Sequence, residues 1–256
     1  MKKYFSLAIL LCASVLSGCD YEKNAVQDIT GSLPASRIKF FNFSVGSPGV
    51  NFYANSQKMT AVQSTTGIES TTGTVYGGAG NGSGSAYSAI DPGSYTVTGK
   101  IAAATDKDLA VASLQTTIAD AKFYSYYMSG TYNTATKTTD SFIVEDVIPT
   151  QDFTVAYVRL VNASANSSPM QLFAKNTLTG VELPVGAAIA YQGAGAFTSI
   201  PNGVYDLSTR TAGSSTNVIV RTGVSFSAGR VYTIGARGTI AGTGTAVPAL
   251  DNTVNR

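Results

Sequence analysis

Two pairs of carboxylates are spaced closely enough along the chain to act together. Asp106 lies two residues before Asp108, and Glu145 is followed directly by Asp146. Either pair could give oxygens to a calcium ion, which takes about six to eight of them, or act as the acid and base of a glycosidase. Neither pair has the spacing of a dedicated calcium loop, and nothing in the sequence sets two carboxylates across a cleft. We therefore interpret them as solvated turn residues and predict no metal site.

Histidine is absent from the chain, and cysteine occurs only at positions 12 and 19. Without histidine, Ser-His-Asp and Cys-His catalysis and most zinc sites are excluded. The glycine run from Gly77 to Gly84 lacks the Gly-Lys-Ser/Thr ending of a phosphate-binding loop. We predict a protein that is not an enzyme and that needs no cofactor.

Aromatic side chains remain as a means of binding a ligand, because their flat faces can stack on sugar rings. Side chains alternate between the two faces of a strand. Alternation places Tyr124 and Tyr126 on one face, where we expect a core, and Phe123 and Tyr127 on the outward face. Core packing is the favoured interpretation of these aromatic residues, and Phe123, Tyr127 and Tyr132 are the candidate ligand-binding residues if they are exposed.

Cys19 is predicted to be chemically modified. It ends the sequence Leu16-Ser17-Gly18-Cys19, a pattern that resembles the lipobox of bacterial lipoproteins. Lys2 and Lys3 form a short positive region, and the apolar run after them is too short to span a bilayer. We expect residues 1–18 to be a lipoprotein signal peptide and Cys19 to carry the membrane anchor; an ordinary secretory signal is the alternative.

The charge and composition exclude one class of partner and indicate one class of fold. Removal of Lys2 and Lys3 with the signal peptide reduces the basic residues from 17 to 15, against 15 acidic ones. A formally neutral chain argues against nucleic acid as a partner, since phosphates require clustered Lys and Arg. Only 12% of the residues are charged, while Gly is abundant and Tyr and Phe are the main bulky residues. This composition is typical of an extracellular β protein.

An internal repeat is the most informative feature of the organisation. Four blocks recur in the same order, and the first reads apolar, basic, apolar, apolar, Asn, apolar, Ser in both copies. The paired blocks are residues 37–44 with 157–164, 50–54 with 170–174, 87–95 with 197–205, and 120–125 with 228–233. Period-two alternation and turns of Gly, Pro and Asn about every ten residues indicate an antiparallel sandwich in each copy.

The repeat sets the predicted domain boundaries. We expect a tether at residues 19–35, a first sandwich at 36–150 and a second at 151–242, with an irregular tail at 243–256. Within the first sandwich, the Gly/Ser/Thr-rich segment 60–86 is the chief difference between the two copies. Glycine this dense is costly to order, so this segment is predicted to be a mobile loop or a loosely formed hairpin.

The repeated first strand, the Pro-Gly turn before Tyr95 and the strand Ala228-Gly229-Arg230-Val231-Tyr232-Thr233 resemble the repeats of the domain-of-unknown-function 4397 family of secreted bacterial proteins. The resemblance covers most of residues 36–240. It implies immunoglobulin-like sandwiches outside the cytoplasm and implies no activity. Members of that family often carry His in the first strand where this chain has Asn42 and Asn162.

The sequence therefore predicts an all-β protein of two tandem immunoglobulin-like antiparallel β-sandwiches. Its predicted function is that of a non-catalytic cell-envelope lipoprotein, a protein-interaction or structural module bound to a membrane through Cys19. The alternative is a carbohydrate-binding lipoprotein that uses exposed aromatic residues. In enteric bacteria, an aspartate directly after the lipidated cysteine, as Asp20 is here, favours retention in the inner membrane. Other phyla follow different rules, and we slightly prefer the outer membrane as the predicted location.

Overall fold

The structure, a computed structural model, describes residues 35–62 and 66–256. The predicted signal peptide, Cys19 and all of the predicted tether except Ala35 lie outside the described residues. Strands dominate the part that is described, which confirms the all-β prediction. Within it, no helix is long and apolar enough to cross a membrane.

The first sandwich is formed by strands that end at residue 145. In chain order they are β1 (Arg37–Asn42), β2 (Val50–Ala54), β3 (Gln57–Lys58), β4 (Gly78–Ala79), β5 (Ser88–Ala89), β6 (Gly93–Ile101), β7 (Ala110–Ile118), β8 (Phe123–Asn133) and β9 (Thr138–Glu145). The larger sheet has the order β4-β1-β8-β9, with β5 also paired to β1, and the smaller sheet has the order β3-β2-β6-β7.

The second sandwich repeats this arrangement strand for strand. Its strands are β10 (Val155–Asn162), β11 (Met170–Asn176), β12 (Glu182–Ile189), β13 (Gly193–Ala194), β14 (Thr198–Pro201), β15 (Gly203–Thr211), β16 (Ile219–Phe226), β17 (Val231–Arg237) and β18 (Ala249–Val254). The larger sheet is β13-β10-β17-β18, with β14 paired to β10, and the smaller is β12-β11-β15-β16. In each larger sheet the first strand pairs in parallel with the eighth, so these sheets are mixed.

Each sandwich has its own apolar core, built from the side chains that alternation directs inward. In the first core, the rings of Phe40 and Phe52 stack with their centroids 5.1 Å apart. Leu160 and Tyr205 are members of the second core. Neither sandwich contains a cysteine that could cross-link it, so both cores rest on apolar burial.

The larger sheets of the two sandwiches pack on each other through their outer faces. Both sandwiches belong to one compact unit. A third apolar cluster lies between them and contains Phe41, Phe43, Tyr127 and Phe142 of the first sandwich and Val161 and Ala163 of the second. Strands β1, β8, β10 and β17 are consequently buried on both faces over most of their length.

The Gly/Ser/Thr-rich segment 60–86 lies partly along the first sandwich. Gly78–Ala79 forms β4 against β1, and Thr74 makes an isolated bridge with Val50. Gly80 is buried beside Phe40 of β1, and a Cβ atom at residue 80 would lie 3.3 Å from the Cβ atom of Phe40 and 2.7 Å from Cγ2 of Thr60. Glycine at this position therefore allows the segment to approach β1 closely.

The prediction of an irregular tail at residues 243–256 is wrong. Ala249–Val254 forms β18, which pairs with β17 over six residues, and Leu250 is buried in the second core. The second sandwich therefore extends beyond residue 242 to the end of the chain. The strand escaped detection because only Leu250 and Val254 are large inward apolar residues, and because it follows the Gly/Thr-rich stretch 242–245.

Candidate functional site

The predicted ligand-binding residues Phe123, Tyr127 and Tyr132 do not form one exposed surface. Tyr127, expected to point outward into solvent, is 1% exposed and lies between the sandwiches. Phe123 is half-buried, and its ring meets that of Tyr87 edge to face. Tyr132 is half-buried against the core of the first sandwich.

Tyr127 has a packing role instead. Its ring stacks on Phe41 on one side and on Phe142 on the other, with centroid separations of 4.7 and 5.1 Å. Burial raises the pKa of its hydroxyl above the usual range, so the group stays neutral. The outward face of β8 is thus covered by the second sandwich and is closed to a ligand.

A buried carboxylate, Asp146, is the centre of the polar contacts between the sandwiches. It forms an ion pair with Arg159 of the second sandwich, and both side chains are 2% exposed or less. The hydroxyls of Tyr87 and Ser125 donate to the Oδ2 atom of Asp146 at 2.6 and 2.7 Å. The carboxylate is therefore saturated by protein donors, as a buried charge requires.

These contacts continue into a closed ring of hydrogen bonds. Arg159 Nε donates to Thr233 Oγ1 at 3.0 Å, and this hydroxyl donates to Asn255 Oδ1 at 2.8 Å. Asn255 Nδ2 donates to the Tyr87 hydroxyl at 2.9 Å, which returns the ring to Asp146. The ring crosses from one sandwich to the other twice, so it can hold them in one register.

The two repeats place a cation over an aromatic ring at the same position. Lys39 Nζ lies 4.6 Å from the centroid of Tyr87, and the guanidinium carbon of Arg159 lies 4.5 Å from that of Phe197. Lys39 Nζ also donates to the carbonyl of Gly84 at 3.1 Å. Burial lowers the pKa of Lys39 to about 8; attraction by Asp146 opposes this change and repulsion by Arg159 adds to it.

The pKa of the Tyr87 hydroxyl is also strongly shifted. Burial raises its pKa, and the neighbouring Asp146 carboxylate raises it further. The Tyr87 hydroxyl therefore stays protonated and donates a hydrogen bond to Asp146. It cannot act as a general base toward a substrate. Lys39, Tyr87, Asp146 and Arg159 together resemble catalytic machinery in residue type. Arg159 pairs with Asp146 and Asn255 donates to Tyr87 across the sandwiches, whereas Lys39 contacts Tyr87 within the first sandwich.

The remaining carboxylates do not gather into a metal site. Asp106 pairs with Lys137 at 2.7 Å, and Glu145 pairs with Lys122 at 2.9 Å on the surface. Across residues 35–62 and 66–256, no three His, Cys, Asp or Glu side chains are grouped as metal ligands would be. Glu145 and Asp146 are neighbours in sequence but belong to different ion pairs: that of Glu145 is exposed, and that of Asp146 is buried.

The residues of the hydrogen-bonded ring were not predicted, although the sequence contains a signal for one of them. Arg159 stands between apolar residues of its strand, as Lys39 does at the same place in the first repeat. A charge in such a strand must be buried with a partner or exposed at an edge. Its partner could not be found from sequence, because Asp146 lies 13 residues before Arg159 and in the chain between the two repeats.

Comparison with protein families matches residues 156–256 to the family described as Domain of unknown function (DUF4397). The match covers the second sandwich, including β18, and confirms the suspected resemblance there. A search of curated proteins gives no significant match to the chain.

Proposed function

We propose that this chain, whose second sandwich is a DUF4397 domain, is a non-catalytic lipoprotein of the cell envelope. It would serve as a structural or protein-interaction module, held to a membrane by a lipidated Cys19, with the outer membrane preferred. The observation that carries this proposal is that the chemically capable side chains Tyr87, Asp146 and Arg159 are used in contacts between the sandwiches, while Lys39 is packed on the ring of Tyr87.

The packing of the sandwiches supports a structural role. Two sandwiches joined by a linker alone would move independently, whereas an apolar cluster and a saturated ion pair couple these two. A unit of this kind presents its loops at a fixed separation. That property suits a protein that spaces or assembles partners at a membrane surface.

Carbohydrate binding through Phe123, Tyr127 and Tyr132 loses its support, because Tyr127 is buried and Tyr132 packs on the first core. Any sugar site would need other residues. The exposed surface of the chain, including Val147 (67% exposed) and Phe153 (75%) around the linker, remains open to a protein partner.

The anchor is tested by fractionating cells that make the wild-type chain or Cys19→Ser. We expect the wild type in the membrane fraction and Cys19→Ser in the soluble fraction, because the variant cannot receive the acyl chains. Separation of inner from outer membranes then gives the location. Equal distribution of the two forms would contradict an anchor at Cys19.

The interaction role is tested by cross-linking the tagged full chain in intact cells and identifying the captured proteins. We expect the same envelope protein in repeated captures with the wild type. The matched control is Cys19→Ser, which should lose that partner if it resides at the membrane. The absence of any recurrent partner would contradict a protein-interaction module.

A further inference from the structure

The central strands of the two sandwiches begin at a shared end of the molecule. Strands β1 and β8 run in parallel, as do β10 and β17, so each pair begins together. The linker leaves the first sandwich at this end, where Asp146 N donates to the Phe123 carbonyl at 2.7 Å. It also reaches the start of β17, since the Pro149 carbonyl accepts from Arg256, whose own carbonyl accepts from Val231 N. The entry end is the end at which these four strands begin.

The chain that precedes the sandwiches also joins them at the entry end. Ser36 Oγ donates to the carbonyl of Ala119, between β7 and β8, at 3.0 Å. Residues 20–35 separate Ser36 from the proposed anchor at Cys19. A segment of that length with coil dimensions spans about 20–24 Å, whereas β8 alone is about 33 Å long. The entry end therefore lies nearer to the membrane than the opposite end does, a step that rests on the proposed function.

The second sandwich exposes four large apolar side chains at the entry end. These apolar tips are Phe153, Leu178, Val181 and Val204. Thr177 N donates to the Val204 carbonyl at 2.9 Å, which brings the hairpin between β11 and β12 beside the start of β15. Phe153 lies over the turn that leads into β17, and a Cβ atom at Gly229 would lie 3.2 Å from its Cδ1 atom. The apolar tips thus project from neighbouring loops at one end of the sandwich.

The hairpin that carries Leu178 is ordered. Asn176 Oδ1 accepts from the backbone N–H groups of Leu178 and Thr179, both at 3.0 Å. Gly180 follows with a φ of +73°, in the left-handed region that favours glycine. The turn therefore holds Leu178 outward, where it is 92% exposed. A side chain presented in this way can be buried against a partner without rearrangement of the backbone.

The apolar character of the entry end belongs to the second repeat alone. Val204 stands where the first repeat has Ser94, and the exposed Pro201 stands where it has Asp91. The turn between β2 and β3, the counterpart of the hairpin that carries Leu178, consists of Asn55 and Ser56. Because the first repeat forms the same sandwich with polar residues at these positions, the fold does not require apolar ones. Their presence indicates a contact outside the sandwich.

We propose that the apolar tips insert into the lipid surface to which Cys19 is anchored. The tips project singly from loops and line no groove, which suits penetration of a fluid surface better than the seating of a peptide. Since the anchor already holds the chain at that surface, each inserted side chain needs to add little affinity of its own. Insertion would fix the orientation of the coupled sandwiches and direct the opposite end away from the membrane.

Charged neighbours limit how deeply the tips enter. Glu182 directly follows Val181, and the exposed Arg230 follows Gly229. A charge is costly in the acyl region, so the side chains should stop at the boundary between headgroups and acyl chains. The proposal assigns Phe153 to the membrane, and it leaves Val147 and the loops of the opposite end to a protein partner.

The chain contains no tryptophan, so a single introduced tryptophan reports on its own position. Phe153→Trp and Leu178→Trp are made in the full chain, purified from membranes in detergent and reconstituted into phosphatidylcholine vesicles with or without brominated acyl chains. We expect the emission of both variants to shift to shorter wavelength on reconstitution and to be quenched by the brominated lipid, because the ring enters the boundary region.

Val247→Trp is the matched control, since Val247 is also exposed but lies beside Gly238, just past the end of β17. The seven residues of β17 separate it from the entry end by about 20 Å. Its emission should neither shift nor be quenched. Thermal unfolding of each variant in detergent verifies the fold, which substitution of these exposed side chains should leave intact.

Flotation of the vesicles separates failure of this proposal from failure of the anchor. A chain that floats without quenching at residues 153 and 178, or with equal quenching at residue 247, would overturn the insertion and leave the anchor standing. A shift of the emission without quenching would mean that a second copy or another protein covers the tips, and it would overturn the insertion too. A wild-type chain that does not float would contradict the anchor at Cys19 and overturn both proposals.

Discussion

Phe43 of the first sandwich lies directly against Gly235 of the second, and a Cβ atom at residue 235 would lie 2.7 Å from Cε2 of Phe43. Gly235 occupies the position that Tyr127 holds in the first repeat. Tyr127 pairs with Phe41, and Gly235 pairs with Val161, which is the equivalent of Phe41 in the second repeat. The first repeat thus presents large rings where the second presents small side chains. Complementary faces of this kind favour pairing of unlike repeats over pairing of like ones.

The first prediction concerns that contact. Gly235→Ala should lower the free energy of unfolding by about 1–3 kcal/mol, because the added methyl group must displace a ring that is packed on Phe41 and Tyr127. Urea denaturation of the purified full chain measures the change. Gly195→Ala is the control, because its methyl group would meet Ile189 at an ordinary 3.4 Å. Equal stability of the two variants would show that the ring moves freely.

The second prediction concerns the buried ion pair. Asp146→Ala leaves the guanidinium of Arg159 buried without its carboxylate, and we expect the chain to lose about 3–5 kcal/mol of stability. Replacing the partner as well, in Asp146→Ala/Arg159→Met, should recover part of the loss. Denaturation curves of the two variants and the wild type measure these differences.

Lys122→Ala is the control for this experiment, since it removes the exposed ion pair between Lys122 and Glu145, the residue that precedes Asp146. The unfolding midpoint of this variant should stay close to that of the wild type. A similar small effect for Asp146→Ala would mean that water reaches Arg159, and the pair would then not hold the sandwiches together.

Much of the fold could be predicted because the sequence contains an internal repeat. The block around Lys39 recurs around Arg159, and the side-chain period of two gives the alternation along β8 and β17. Alternation identifies two faces of a strand but not what covers the outer one. Tyr127 was therefore expected in solvent, whereas the second sandwich covers it.

The polar contacts were harder to predict, because their members are far apart in sequence. Tyr87 and Asn255 are 168 residues apart and meet only when the two larger sheets pack together. The path of segment 60–86, which places Gly80 against Phe40, is likewise not specified by composition. A Gly/Ser/Thr-rich segment indicates a loop but not the path that the loop follows.

The third prediction concerns the C-terminal strand. Leu250→Ala should destabilise the chain by about 2–5 kcal/mol, because this side chain is 2% exposed and fills the second core. Val247→Ala, three residues earlier and 50% exposed, should have a small effect. Thermal unfolding compares the two. Similar melting temperatures for both variants would mean that β18 frays from β17 in solution.

The last prediction concerns pH. Lys39 loses its proton near a pKa of about 8 in the folded chain, compared with 10.5 when unfolded. Between these values the unfolded chain binds more protons, so the contribution of Lys39 to the free energy of unfolding should rise with pH. Urea denaturation of the wild type and Lys39→Met from about pH 7.5 to about pH 9.5, below the usual range of tyrosine, measures it.

We expect the wild type to gain stability relative to Lys39→Met across this interval, because the neutral amine can stay buried beside Tyr87 without a desolvation penalty. The comparison cancels groups that titrate alike in both proteins. A constant difference would mean that Asp146 keeps Lys39 protonated throughout. Lys39 would then act as a second cation on the buried carboxylate, and its attraction to Asp146 would outweigh the repulsion from Arg159 and the cost of burial.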